Sequence, residues 1–232
     1  MRTSRISRLT RALAILAALT FIIASSGSAL ATHTFHKYSV VRDSGQFAYT
    51  GVYSTRTDAV PSGLTPGPCT ATPFQNSPVY YTQWVVINSQ ATDWVEMGTG
   101  YGCEGQRYWF WGYAWQGTWY PIDTEWFFPL QQNYYDIHRV GEIWYFNING
   151  VNKAIKPWNA VGVYVDAGLE SYNGHVNTGW ISHWELQRTL SESSWYYWSG
   201  TYVAALHTPE MCGQLVSSTN YRTRQAAPGT AC

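Results

Sequence analysis

Gly141-Glu142-Ile143-Trp144-Tyr145-Phe146-Asn147-Ile148-Asn149-Gly150 is the stretch that decides the fold. Apart from Asn147, Ile143 to Ile148 is aromatic or β-branched, and such side chains suit a pleated, half-buried surface. Asn149-Gly150 supplies the two positive-φ positions of a tight hairpin turn. A strand over Glu142 to Asn149 should therefore turn back on itself through Val151 to Ile155. Working outward, strands are expected at Tyr80–Ile87, Trp94–Tyr101 and Tyr108–Gln116, then at Val161–Val165, Trp180–Gln187 and Trp195–Ala205. In Trp180–Gln187, alternation puts Trp180, Ser182, Trp184 and Leu186 on one face, with His183 among the residues facing water. After residue 31, apolar residues nowhere recur at helical spacing. Short strands punctuated by Gly and Pro imply an all-β sandwich or barrel.

The N-terminus is of another kind. Arg2, Arg5, Arg8 and Arg11 precede an apolar run from Ala12 to Ala24. Ser25 to Ser28 breaks that run, and Ala29-Leu30-Ala31 is a small-x-small cleavage site. Residues 1–31 read as a bacterial-type signal peptide cut after Ala31, with a secreted, extracellular product and no membrane attachment afterwards. Four of the fourteen basic residues precede the cut and all fourteen acids follow it, leaving a net charge of −4. That sign argues against nucleic acid as a partner. Residues 32–78 would hold N-terminal strands, with candidates at Phe47–Tyr49 and Val52–Tyr53, and a loop with five prolines between 61 and 78. Such a segment is too small to fold alone and should pack on the main domain, 79–232.

Cys69, Cys103, Cys212 and Cys232 make an even count in an exported chain, which reads as two disulfides. Three connectivities are open; nearest-neighbour pairing gives Cys69–Cys103 and Cys212–Cys232. No Cys-x-x-Cys is present and the histidines do not cluster, so neither a metal nor another cofactor is expected. Nucleophile elbows, phosphate loops and dinucleotide glycine patterns are also missing. Oligomeric state is not legible.

Five segments carry a resemblance. Gln83-Trp84-Val85-Val86-Ile87, Asp93-Trp94-Val95-Glu96-Met97-Gly98, Tyr108 to Trp115, Gly141 to Gly150 and Gly168-Leu169-Glu170 follow one another in an order that resembles secreted bacterial proteins with a concanavalin-A-like jelly roll. The Trp144–Gly150 hairpin is similar to that of laminin-G-like domains. More distantly, Trp84-Val85-Val86-Ile87, Glu96-Met97-Gly98, Ala114-Trp115, Trp119-Tyr120-Pro121 and Gly141-Glu142 resemble segments of the eqolisins, the glutamic peptidases. The resemblance implies a jelly-roll β-sandwich of two antiparallel sheets. It also implies a catalytic glutamate at Glu170 acting as general base, and it puts Glu96 where that family has an oxyanion-stabilising glutamine. An ionised glutamate has no proton to donate there, so Glu96 could serve only if protonated.

Two chemistries follow. Alternation sets Glu96 on one face with Trp94 and Gly98, and a carboxylate beside an indole is a common way to grip a sugar. The aromatic-rich run adds Trp109, Trp111, Trp115 and Trp119, more rings than one core layer holds. The first expectation is therefore a non-catalytic domain binding an extracellular glycan or other polymer through Trp94, Glu96, Trp109, Trp111, Trp115 and Trp119, with Glu170 opposite. The second is an acid-acting carboxylate hydrolase using Glu170 and Glu96. The third is a surface protein without a small ligand, its glutamates simply solvated.

Overall fold

The computed structural model describes residues 37–44, 48–58, 79–101, 107–126, 129–171, 178–191, 194–206, 211–226, 230 and 232. The expected signal peptide over 1–31, the expected proline-rich loop over 61–78, and Cys69 and Cys103 with their expected pairing lie outside them. The described residues form fifteen strands, in this order: β1 Lys37–Asp43, β2 Gly51–Thr57, β3 Val79–Val86, β4 Trp94–Tyr101, β5 Arg107–Trp115, β6 Thr118–Trp126, β7 Gln132–Val140, β8 Ile143–Ile148, β9 Val151–Pro157, β10 Tyr164–Ser171, β11 Ile181–Ser191, β12 Ser194–Tyr197, β13 Thr201–Leu206, β14 Met211–Ser217 and β15 Asn220–Gln225. They form a seven-stranded sheet, β13-β1-β10-β3-β4-β5-β6, and an eight-stranded sheet, β14-β15-β11-β2-β7-β8-β9, with β12 paired to β11. Every strand pairing is antiparallel. The expected jelly-roll sandwich of two antiparallel sheets is the fold observed.

The deciding hairpin forms as read. Asn149 and Gly150 take φ of 54° and 75°, and β8 pairs with β9. Gln116 and Gly117, at 52° and 76°, turn β5 into β6 in the same way. Alternate residues of facing strands meet between the sheets: Val41, Tyr81, Val85, Val95, Met97, Trp109, Trp111, Val165 and Leu169 from one, Val52, Tyr135, Ile137, Trp144, Phe146 and Leu186 from the other. Cys212 and Cys232 are bonded, as nearest-neighbour pairing anticipates.

Two readings need correction. His183 does not face water; it is fully buried, paired in register with Arg56 and Tyr221. The cause is a bulge after Trp184, where Glu185 takes φ of 53°. The bulge returns Leu186 to the inner face with Ile181 and His183, so strict alternation fails across it. The expected strand Trp195–Ala205 is also two strands, β12 and β13, parted at Trp198–Gly200.

Candidate functional site

Glu96 sits at the centre of β4 on the outer face of the seven-stranded sheet, and only 4% of it is exposed. Register explains its neighbours. Across the sheet, Arg42, Asp166, Trp84, Glu96 and Gly112 form one row. One step along the strands, Tyr164, Val86, Trp94, Ala114 and Trp119 form the next. Gly112 leaves its place in the row empty. A Cβ there would stand 2.8 Å from the Trp119 ring, so the indole lies over the glycine and reaches the glutamate.

Three donors converge on that carboxylate. The indole N–H groups of Trp94 and Trp119 donate to Oε2 at 3.0 and 3.1 Å. Thr82 Oγ1 lies 2.8 Å from Oε1 and 3.0 Å from the Met97 carbonyl. An indole N–H can only donate, so Oε2 acts as an acceptor twice over. Glu96 therefore works as a clamp that sets two partly exposed rings edge-on to one oxygen. Sequence reasoning paired Trp94 with Glu96 by alternation; it had no means of finding Thr82, or the reach of Trp119 across Gly112.

The same face carries a second acid. Arg42 donates to both oxygens of Asp166, each at 2.7 Å, and its guanidinium lies 3.6 Å from the centre of the Tyr164 ring. Burial raises the Asp166 carboxyl above its usual range, and the Arg42 hydrogen bonds oppose that rise without cancelling it. Burial likewise opposes the Arg42 charge, but the bonds to Asp166 more than restore it. The sequence carried a signal for Asp166, since Asp166, Gly168 and Glu170 share one face of β10 by alternation.

Glu170 also faces this side, in the row of Tyr80, Gly100, Tyr108 and Trp126. That row is four residues along and Glu170 is two strands over from Glu96, which puts the two Cα atoms about 16 Å apart. The nearer acid in register is Asp166, two strands away in Glu96's own row, about 10 Å between Cα atoms. Tyr80 on β3 stands beside Glu170 in its row and meets Phe110 edge-on at 5.5 Å. On the far side of β4 rings continue over β5 and β6: Trp126 on Tyr108, Tyr108 on Phe110 and Phe110 on Trp119, with centroids 5.0, 6.3 and 6.2 Å apart.

Of the other aromatic candidates, Trp109 and Trp111 are core side chains on the inner face of β5, and Trp109 donates to the Tyr135 hydroxyl. They belong to the opposite alternation class from Gly112, the residue paired with Glu96, so they do not line this face. Trp115 is 55% exposed at the tip of the β5–β6 hairpin. No group of metal-ligating side chains occurs among the described residues. A concavity of about 550 Å³ between the β7–β8 turn and the end of β9, lined by Val140, Glu142, Trp158 and Asn159, contains none of the candidates.

No protein-family profile matches this sequence, and no curated protein does. Solved structures do match its fold. A scytalido-glutamic peptidase with a transition-state analogue inhibitor aligns over 82% of this chain and 98% of its own, at 9% identity and a TM-score of 0.55. SCP-B, an eqolisin peptidase in complex with the tripeptide Ala-Ile-His, aligns over the same shares at 8% identity and a TM-score of 0.51. A Bacillus licheniformis beta-glucanase aligns over 56% of each chain at 10% identity and a TM-score of 0.38.

Proposed function

We propose that the chain is an exported, non-catalytic domain that binds a carbohydrate or other extracellular polymer on the Trp94–Trp119 face. One observation carries the reading: a single buried carboxylate oxygen holds two partly exposed indoles in fixed orientation. Rings held rigid give up little freedom on contact, and their apolar faces suit the C–H faces of a sugar. Export rests on the basic, then apolar, then small-residue N-terminus, and the Cys212–Cys232 bond accords with it.

The second reading is an acid-acting hydrolase related to the glutamic peptidases, and the fold likeness over nearly the whole of such an enzyme favours it. Against it, Glu96 already accepts from two indoles, and the Glu170 Cα is remote in register. One experiment separates them. Residues 32–232 are incubated with insoluble glycans, and in parallel with casein at pH 2–5. The binding reading expects retention on at least one glycan, weakened by Trp119→Ala, and intact casein. Acid proteolysis that Glu170→Gln abolishes would replace it with the hydrolase.

A further inference from the structure

The outer face of the other sheet carries a platform that the Trp94–Trp119 reading does not use. Register lines up two adjacent rows across six strands. The first is Tyr197, Gln187, Tyr53, Asp136, Asn147 and Asn152. The second is Trp195, Thr189, Gly51, His138, Tyr145 and Ile155. Their inward neighbours Val52, Ile137 and Phe146 are fully buried, whereas Tyr197 is 58% and Trp195 37% exposed, so the rows lie on the outer face, with Thr189 and Gly51 buried within the second row. Five spacings between strands make the strip about 24 Å long.

The rings are ordered against one another. Trp195 meets Tyr53 edge-on at 6.0 Å and His138 edge-on at 6.4 Å. His138 stacks on Tyr145 at 5.5 Å. Beside them runs a chain of acid and amide groups. Asp136 Oδ1 is 2.8 Å from His138 Nδ1, Asn147 donates to Asp136 Oδ2 at 3.1 Å, and Asn152 donates to Asn147 Oδ1 at 3.0 Å. A strip built for a protein partner would present an apolar centre. Here the first row has no aliphatic side chain and the second only Ile155. A strip built for an anionic ligand would present Lys or Arg, and neither row contains one. Flat rings flanked by hydrogen-bonding carboxylate and amides fit an uncharged polymer with both C–H faces and hydroxyls.

The geometry points to a second binding site on this face, for a neutral glycan chain lying across β12, β11, β2, β7, β8 and β9. It is independent of the site around Glu96. With a site on the outer face of each sheet, one domain can bridge two polymer strands.

The test uses residues 32–232 against cellulose, xylan and mannan, with dextran sulfate as the charged control. Trp195→Ala/Tyr197→Ala and Trp119→Ala are compared with the wild type, and near-UV circular dichroism confirms folding. Two exposed rings lost together should weaken retention on a neutral glycan roughly tenfold or more. Light scattering should show that wild type cross-links a soluble xylan and that either variant does not. Full retention by Trp195→Ala/Tyr197→Ala, with loss only in Trp119→Ala, overturns this site and leaves the first. Loss only in Trp195→Ala/Tyr197→Ala supports this site and removes the first. Tighter binding to dextran sulfate than to any neutral glycan overturns the ligand class. So does a dimer that Trp195→Ala/Tyr197→Ala disrupts while wild type retains no glycan.

Discussion

Replacing Glu96 by glutamine and by alanine should give sharply different proteins. Alanine removes the acceptor for three donors. A hydrogen bond to a charged group contributes about 1.5–3 kcal/mol. Thr82 keeps the Met97 carbonyl as an alternative, and the indoles of Trp94 and Trp119 are exposed enough to regain some water. With that discount, Glu96→Ala should cost about 3 kcal/mol. Glutamine can satisfy every partner. Its oxygen accepts both indoles, its NH2 donates to Thr82 Oγ1, and the Thr82 proton turns to the Met97 carbonyl 3.0 Å away. Glu96→Gln should therefore cost under about 1 kcal/mol. Urea unfolding followed by tryptophan fluorescence reads the difference. With m of about 2–3 kcal/mol/M, alanine should move the midpoint down by about 1–1.5 M and glutamine by less than about 0.5 M. Equal shifts for both variants would refute the reasoning, since charge and not acceptor geometry would then hold the rings.

Three further outcomes are expected. Burial, with the Arg56 charge adding to it, pushes His183 well below the usual imidazole range, and its ring nitrogens make no hydrogen bond among the described residues. Stability should be full above pH 6.5 and fall below it by about 1.4 kcal/mol per pH unit, because only the unfolded chain takes up that proton. His183→Met should flatten this acid slope in pH-dependent urea midpoints; an unchanged slope refutes the assignment. Arg42→Met strands the Asp166 carboxylate and should cost about 3–5 kcal/mol at pH 7. As burial already raises the Asp166 carboxyl, that loss should shrink as pH drops and the acid is protonated; a pH-independent loss would contradict it. Reducing Cys212–Cys232, which closes a separation of 20 residues, should lower stability by about 3 kcal/mol in midpoints with and without reductant.

The strands were legible where side-chain periodicity was strong, and β3, β4, β5, β8 and β9 fall close to the reading. Those missed have specific causes. β6 is exposed on much of both faces, as in Thr118-Trp119-Tyr120-Pro121, so no clean alternation marks it. β7 does alternate in burial, but its buried face opens with polar Asn133 and its outer face carries Tyr134, so hydrophobicity along Gln132-Asn133-Tyr134-Tyr135 does not show the period. β14 and β15 are held in part by Ser39, whose hydroxyl bonds the Cys212 carbonyl and the Tyr221 hydroxyl from 173 and 182 residues away. Contacts at that range leave no local trace.

The candidate site shows the same boundary between period and register. Trp94, Glu96 and Gly98 share a face by arithmetic. Whether Trp109 and Trp111 join them depends on which residue of β5 stands opposite Glu96. That residue is Gly112, whose neighbours of like parity are Phe110 and Ala114. One step of slip would have put Trp109 and Trp111 beside the glutamate and Phe110 in the core. Glycine at 112 also gives the choice a physical sense: a large residue there would displace Trp119, and without Trp119 the buried carboxylate would lose one of its charge-neutralising donors. The acid, the two indoles and the glycine thus form one unit. Its geometry as observed is a buried carboxylate oxygen gripped by two indole N–H groups, the arrangement on which the proposed binding face depends.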